Sequence, residues 1–359
     1  MSTANVRELE PLRAVDEDSL TIGDLGLLLF GHAAFQYLNA GCELGVFKIL
    51  SDDPGLTKAE LQQRLGLQTQ PTRCLLFGLT ALKLLIKSDG SYRNSSVIER
   101  FFAERKWKEF HDTVRFEARI VYSGQADFVE SLRQNTNVGL RHIPGRSKNL
   151  YERFGEDSEL QNVFYEYMSS WSKLSNPLLL EFVDFSSMRN AVDVGGGDAT
   201  NAIAIAEAFP ELKITLLDIP PNCELARQRI AARKLSDRIT VVEGDMFVNE
   251  FPSGHDCFMF IHQLVIWPLE VNTALLRRAY DALEPGGRVL IFNSISSDNE
   301  DSPVMAALDS VYFVSIPAEG GMIYAWKEYE KCLRDAGFSD IQRIECDSWT
   351  PHGIILATK

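Results

Sequence analysis

The sequence has no CxxC pair, no hydrophobic run long enough to cross a bilayer, and no excess of positive charge. Each absence excludes a class. The six cysteines, at 42, 74, 223, 257, 332 and 346, are scattered, so neither a disulfide framework nor a thiolate zinc site is expected, and they read as reduced, buried thiols. Apolar runs such as LGLLLFGHAAF are short and interrupted, whereas a membrane helix needs about 20 apolar residues. The opening MSTANVRELEPLRAVDEDSL is polar and acidic with no basic flank before an apolar core, so no secretory signal is expected and a cytoplasmic location is. With 36 Lys and Arg against 50 Asp and Glu, the formal charge is −14, which repels a polyanion over the surface as a whole. Nucleic acid and membrane are therefore not expected partners. The histidines follow no metal-ligand spacing, so no metal site is expected either.

What is present is ordinary for a folded chain: 359 residues, 45% apolar and 24% charged, enough for two domains of about 100–200 residues each. Residues 1–24 read as a flexible arm, 25–150 as a mainly helical domain, 151–189 as a helical linker and 190–359 as an α/β domain. In the helical domain Thr57 caps a helix whose third residue is Glu60, a capping box. Two short amphipathic helices follow, Asp89-Gly90 marks a turn, and SYRNS reads as a small wing strand. This winged-helix pattern raises DNA binding as a function. The candidate recognition helix, TQPTRCLLFGLTALKLL, carries only Arg73 and Lys83, however, where a repressor needs cations for phosphates and base edges. Its broad apolar face fits a dimerisation or lid domain instead. Further on, His111, Arg115 and Arg119 recur at helical spacing and read as a solvated surface.

From Asn190 strand-like and helical runs alternate: NAVDVG, ATNAIAIAEAFP, KITLLD, CELARQRIAARKL, ITVVEGD, DCFMFIH, EVNTALLRRAYDALEP, RVLIFNSI and WKEYEKCLRDAGF, with SDIQRIEC and GIILATK as candidate closing strands. This alternation predicts a doubly wound, mostly parallel sheet of the α/β class. VDVGGGDAT follows a strand and opens a helix, which brings backbone N–H groups of Gly195 and Gly197 toward a ligand at the positive helix end, with Asp193 beside them. Asp218, followed by Ile219, ends the next strand, where a carboxylate can accept from both hydroxyls of a ribose. Gly244-Asp245-Met246-Phe247 ends the third, where an acid can reach an adenine amino group and the Met and Phe side chains can sandwich the ring. A dinucleotide site would share the first two features, but it carries GxGxxG, whereas this loop runs GGGDA with Ala199 at its end.

DVGGGDAT, LLDIPP, VEGDMF, the Trp267 to Leu283 helix and EPGGRVLI, in this order after a winged-helix domain, resemble the S-adenosylmethionine-dependent small-molecule O-methyltransferase family, in its bacterial secondary-metabolite branch. YERFGEDSELQNVFYEYM is similar to that family's linker helix. The resemblance spans nearly the whole chain from about Leu25. It implies a homodimer with interlocked N-terminal helices, a Rossmann-like domain that binds S-adenosylmethionine, and a small-molecule acceptor. It further implies that the glycine loop holds the methionine part, Asp218 the ribose, and Asp245 with Met246 the adenine.

Family members that methylate hydroxyls read L-H-D-W after the fourth strand, and the histidine takes the acceptor's proton. Anchored on Trp267, this chain reads Leu264-Val265-Ile266-Trp267, so the base position is Val265. The two glutamates that orient the family's histidine fall on Asn293 and Ile323. Loss of all three polar members points to an apolar pocket, and general-base catalysis, worth about 10²–10⁴-fold, is lost with them. His262, in DCFMFIHQL, is the remaining candidate acid or base; a hydrogen-bonding or core role stands beside a proton-transfer role, because strand alternation leaves its facing open.

The expected function is methyl transfer to carbon, nitrogen or an acidic phenol or enol, driven by alignment in a pocket near Tyr165, Met168, Val265, Trp267, Asn293 and Ile323. Well-oriented reactions gain effective molarities of about 10⁵–10⁸ M, which can replace a base when the nucleophile is already electron-rich. The rival is an enzyme that uses the cofactor's positive charge without consuming it, for a pericyclic, dehydration or decarboxylation reaction.

Overall fold

The computed structural model describes residues 20–154 and 157–359. Residues 1–19 of the expected arm, and 155 and 156 of the expected linker, lie outside the described residues. Two compact units meet in sequence at Arg119 and Ile120.

Up to Arg119 the chain is mainly helical. Ile22–Leu29, Gly31–Glu43, Val46–Asp52, Lys58–Leu65 and Thr69–Ala81 are helices. The capping box is formed: the Glu60 amide donates to the Thr57 hydroxyl at 3.4 Å and the Thr57 amide donates to the Glu60 carboxylate at 2.7 Å. Strands β1 (Leu56–Thr57), β2 (Leu85–Ser88) and β3 (Ser91–Asn94) make a small antiparallel sheet in the order β1–β3–β2. Asp89 and Gly90, between β2 and β3, both take positive φ, 48° and 81°, as a two-residue hairpin matched to strand twist requires. Phe47, Leu50, Leu61, Leu76 and Leu79 form the core of this unit, each 1% exposed or less. Leu25, Leu28, Phe30 and Phe77 point outward and are more than half exposed. His111 and Arg115 are half-buried on their helix, and Arg119 is exposed.

From Ile120 the fold is α/β. A seven-stranded sheet runs in the order β6–β5–β4–β7–β8–β10–β9, formed by β4 (Asn190–Val194), β5 (Lys213–Asp218), β6 (Ile239–Glu243), β7 (Cys257–Ile261), β8 (Arg288–Ser294), β9 (Ser339–Glu345) and β10 (His352–Thr358). The first five in that order are parallel neighbours, while β10 is antiparallel to both β8 and β9. Helices cover both faces, so central strands are buried on both sides and read as continuous apolar runs. On β7, Phe258 and Phe260 pack into one core with Leu275, Leu276 and Tyr329, while Cys257, Met259 and Ile261 pack into the other with Ala202, Ile205 and Leu216. Strand order reverses between β4 and β7, the crevice position at which open α/β sheets bind ligands.

All six cysteines are free. Cys74 corrects the expectation of burial: it lies exposed on the helix Thr69–Ala81, because its position faces outward from the core that Leu75, Leu76 and Leu79 enter. No helix among the described residues is long and apolar enough to cross a membrane.

Thr57→Ala should lower the stability of the N-terminal unit by about 1 kcal/mol, because it leaves the helix Lys58–Leu65 without its cap. A urea midpoint unchanged from the parent protein would contradict this assignment.

Candidate active site

The carboxyl ends of β4, β5, β6 and β7 open into a cleft of about 500 Å³ walled by Gly195, Gly197, Asp218, Gly244, His262 and Trp267, among others. The glycine loop is shaped by close approach. Gly195 takes φ of 69°, and a Cβ there would lie 2.4 Å from the Gln263 side chain, whose amide donates to the Gly195 carbonyl at 2.9 Å. Gly197 takes φ of 57° and would meet nothing within 4 Å, so its backbone lies bare to the cleft. Ala199 also sits at positive φ, 68°, and lacks a capping side chain for the helix Thr200–Ala208. Asp198 supplies the cap, accepting from the Thr200 amide at 3.0 Å and hydroxyl at 2.6 Å, and it is ion-paired with Arg229 at 2.5 Å.

Asp218 ends β5 and lies 9% exposed. One carboxylate oxygen accepts from the Gly197 amide at 2.7 Å, and the other from the Ile219 amide at 2.7 Å and the Asn222 side chain at 2.8 Å. Burial raises its pKa, and those three donors oppose the rise. The Tyr165 hydroxyl donates to Asn222 at 3.0 Å, which extends the chain of bonds across the cleft wall. Asp193 does not line the cleft. It lies beneath Gly196, where a Cβ would come within 2.7 Å of its carboxylate, and neither of its oxygens has a partner. Burial first, and then the nearby Asp218 and Asp198 carboxylates, push Asp193 up to about 7. Among the described residues the cleft wall contains Glu152, Asp198, Asp218 and Asp245 and no Lys or Arg, an electrostatic setting suited to a cationic ligand.

After β6, Gly244 donates its amide to the Asp218 carbonyl at 2.9 Å. Asp245 is exposed, and its carboxylate accepts from the Phe247 amide at 2.8 Å. Met246 is partly buried against the core, and Phe247 sets its edge against Trp267 at 4.9 Å between ring centres. Tyr165, Met168 and Trp267 all line the cleft. The indole N–H of Trp267 is buried with no partner.

His262 lies one residue beyond the end of β7, not within the strand. Its φ is 59°, its amide donates to the Phe292 carbonyl at 2.8 Å, and its side chain reaches the cleft wall. A non-glycine residue held in this region is strained, a feature that clusters at functional sites. Its Nε2 lies 3.3 Å from the Ser175 hydroxyl, which has the Trp171 carbonyl at 3.0 Å and the Ser172 carbonyl at 3.3 Å as acceptors. Burial lowers the pKa of His262 to about 4, well short of the value near the working pH that suits a proton acceptor.

Val265 and Ile323 meet in one apolar cluster with Ala306 and Ala318, packed against the cleft-wall residues Ile266, Tyr151 and Trp267. They stand behind the wall and not in it. Asn293 is fully buried, its amide 3.5 Å from the Tyr329 hydroxyl. Sequence reasoning missed Gln263, Asn222, Asp198 and His352. Asp198 and Asn222 stood beside residues already singled out, while Gln263 and His352 carry no local signal at all.

His262 is neutral when folded and takes a proton once unfolded, so its contribution is complete above its ordinary value of 6.5 and is lost as pH falls toward about 4. Asp193 and Asp309, both pushed up to about 7, act with the opposite sign, so the histidine is isolated by difference. The unfolding free energy of the parent minus that of His262→Phe should fall by about 2 kcal/mol between pH 7.5 and pH 5. A difference independent of pH would show that the imidazole titrates normally.

Comparison with known proteins matches residues 122–339 to the O-methyltransferase domain and residues 27–104 to the O-methyltransferase dimerisation domain. An L-tyrosine C(3)-methyltransferase of Streptomyces lavendulae is 52% identical, over 95% of this chain and 93% of its own. A 3-hydroxy-5-methyl-1-naphthoate 3-O-methyltransferase of Streptomyces sahachiroi is 32% identical, over 90% of this chain and 91% of its own. Among solved structures, the S-adenosylmethionine-dependent methyltransferase SibL superposes with a TM-score of 0.86 at 45% identity, covering 94% of this chain and 99% of that one. Human N-acetylserotonin methyltransferase in complex with SAM shares the fold, with a TM-score of 0.82 at 24% identity, covering 95% of this chain and 99% of that one.

Proposed function

The chain belongs to the O-methyltransferase family and is an S-adenosylmethionine-dependent methyltransferase of a small molecule, and we propose that it methylates a ring carbon beside the hydroxyl of a phenolic amino acid of the tyrosine class. The observation that carries this reading is the packing of Val265 and Ile323 into one apolar cluster, at positions where the family's hydroxyl methylation needs a histidine and its glutamate. A hydroxyl nucleophile loses its base there. A ring carbon made electron-rich by its own hydroxyl needs alignment above all, and the hydrogen it gives up leaves as a proton to solvent once the ring carries the methyl group. The 52% identity to an L-tyrosine C(3)-methyltransferase supports the same acceptor class.

The residues fit the cofactor. When bound, S-adenosylmethionine supplies a methyl group on a positively charged sulfur, open to in-line displacement. Asp218 holds the ribose hydroxyls, in place of or beside the bonds it now accepts. The tight turn at Gly195 and the bare backbone at Gly197 receive the methionine end, with the buried Asp193 carboxylate adding negative charge from behind the cleft wall. Asp245, Met246 and Phe247 hold the adenine, with Gly244 and Ile219 allowing its approach. Tyr165, Met168 and Trp267 exclude water and align the acceptor ring. His262 orders the floor of the chamber as a neutral hydrogen-bonding group and does not take the proton.

The assembly is a homodimer in this reading. The matched dimerisation domain and the exposed Leu25, Leu28, Phe30 and Phe77 support it, because apolar patches of that kind are normally covered. Six free cysteines favour the reducing cytoplasm as its location.

Incubation with methyl-labelled S-adenosylmethionine and L-tyrosine should give one S-adenosylhomocysteine per product, with the label on the ring carbon beside the hydroxyl. Label on oxygen, or turnover that consumes no cofactor, would refute the reading. Asp218→Ala should weaken S-adenosylhomocysteine binding by about 30-fold or more, since bonds to a charged group are lost; calorimetry showing parental affinity would remove Asp218 from the site. His262→Gln should keep kcat within about tenfold of the parent, whereas loss of a general base costs about 10²–10⁴-fold.

A further inference from the structure

Beyond the cleft, at the turn of the sheet from β8 to β10, lies a group of polar side chains that methyl transfer does not use. Asp309, on the helix Val304–Ser315, has one side-chain bond: the Ser294 hydroxyl donates to it at 3.3 Å. Among the described residues it forms no ion pair. Burial pushes its carboxyl up to about 7, and part of the residue remains open. Ser294 stands directly opposite His352 in the β8–β10 ladder. His352 is 3% exposed, and neither of its ring nitrogens has a partner.

This group touches the cleft by two routes. The His352 ring lies 5.0 Å from the ring of His262, which lines the cleft, and it stacks on Phe292 at 4.8 Å. One helical turn beyond Asp309, Tyr312 hydrogen-bonds to Tyr151, another residue of the cleft wall.

A carboxylate enclosed without a counter-charge and an imidazole with both nitrogens idle are each costly. Water can satisfy the ring nitrogens but not the charge. An ammonium group brings a positive charge and three N–H donors together. Burial keeps His352 neutral, so one of its nitrogens can accept from such a group while the other can donate to a neighbouring carboxylate. An α-amino acid head group presents both. Among the described residues no Lys or Arg of the cleft wall competes with the ammonium.

We propose that Asp309 and His352 form the subsite for the α-ammonium of an aromatic amino acid whose ring occupies the adjoining cleft. This inference rests on the acceptor class proposed above and assigns the specificity for that class to two residues. Ser294 positions the Asp309 carboxylate.

The test is calorimetry on the full chain saturated with S-adenosylhomocysteine, titrated with L-tyrosine, with tyramine and with 3-(4-hydroxyphenyl)propionate. L-Tyrosine and tyramine should bind, and the propionate, which lacks the ammonium, should bind about 30-fold more weakly or worse. Asp309→Asn should weaken L-tyrosine and tyramine by about 30-fold or more, leaving the propionate and S-adenosylhomocysteine affinities unchanged. Should that variant fail to bind S-adenosylhomocysteine, His352→Phe carries the same comparison. Equal L-tyrosine affinity in parent and variant overturns the subsite while the acceptor class stands. A parent that prefers the propionate overturns both. Reduced turnover with unaltered L-tyrosine affinity also overturns the subsite, since Asp309 would then act on a proton and not on the amine.

Discussion

Three carboxylates crowd the ends of two adjacent parallel strands with a single arginine to answer them, and the rest of the site is arranged around that imbalance. Asp193, Asp198 and Asp218 arise from one glycine loop and the neighbouring strand end, and only Asp198 has a cation, Arg229. Burial first, and then the neighbouring Asp218 and Asp198 carboxylates, raise the pKa of Asp193. Such a cluster is unfavourable in an empty protein and favourable around a cation. The tight Gly195 turn, the positive φ of Ala199 and the Asn222 and Tyr165 bonds hold the carboxylates in place around the cleft. Release after transfer follows from the same imbalance, because the demethylated product carries less positive charge than the methyl donor.

The chamber beside this cluster is built differently. Val265 and Ile323 fill with apolar contact the space that hydroxyl-methylating relatives are expected to give to proton transfer, and His262 is kept neutral by burial. Electrostatic stabilisation and alignment remain, and proton removal from an oxygen does not. This asymmetry is the basis of the proposed carbon acceptor, whose electron density comes from its own hydroxyl. Polarity returns further in, at Asp309, Ser294 and His352, where it suits recognition of a charged head group more than chemistry on a ring.

The winged-helix unit owes its hairpin turn, capping box and small sheet to local chemistry at Asp89-Gly90 and Thr57-Glu60, and it exposes Leu25, Leu28, Phe30 and Phe77. Apolar patches of this kind are normally covered by protein.

The α/β class and the mostly parallel sheet, with a glycine turn and an acid at consecutive strand ends, were legible in the letters, because they depend on short-range rules: a period of two or 3.6, a glycine where the backbone must turn, an acid at a strand end. The apolar character of the position at Val265 was legible too. The placement of His262 was not, since one residue separates a strand position from a left-handed turn, and no propensity distinguishes the two. Asn293 reads in the sequence as a candidate catalytic residue of the pocket, and it is instead enclosed beside Tyr329 away from the cleft wall, because the side on which a strand residue packs depends on which helix covers it. The pairing of His352 with Ser294, and their meeting with Asp309 and His262, joins residues up to 90 positions apart. Only the antiparallel return of β10 alongside β8 brings them together, and that register is fixed by the burial of both sheet faces at once, a constraint on the whole sheet that no local stretch of sequence contains.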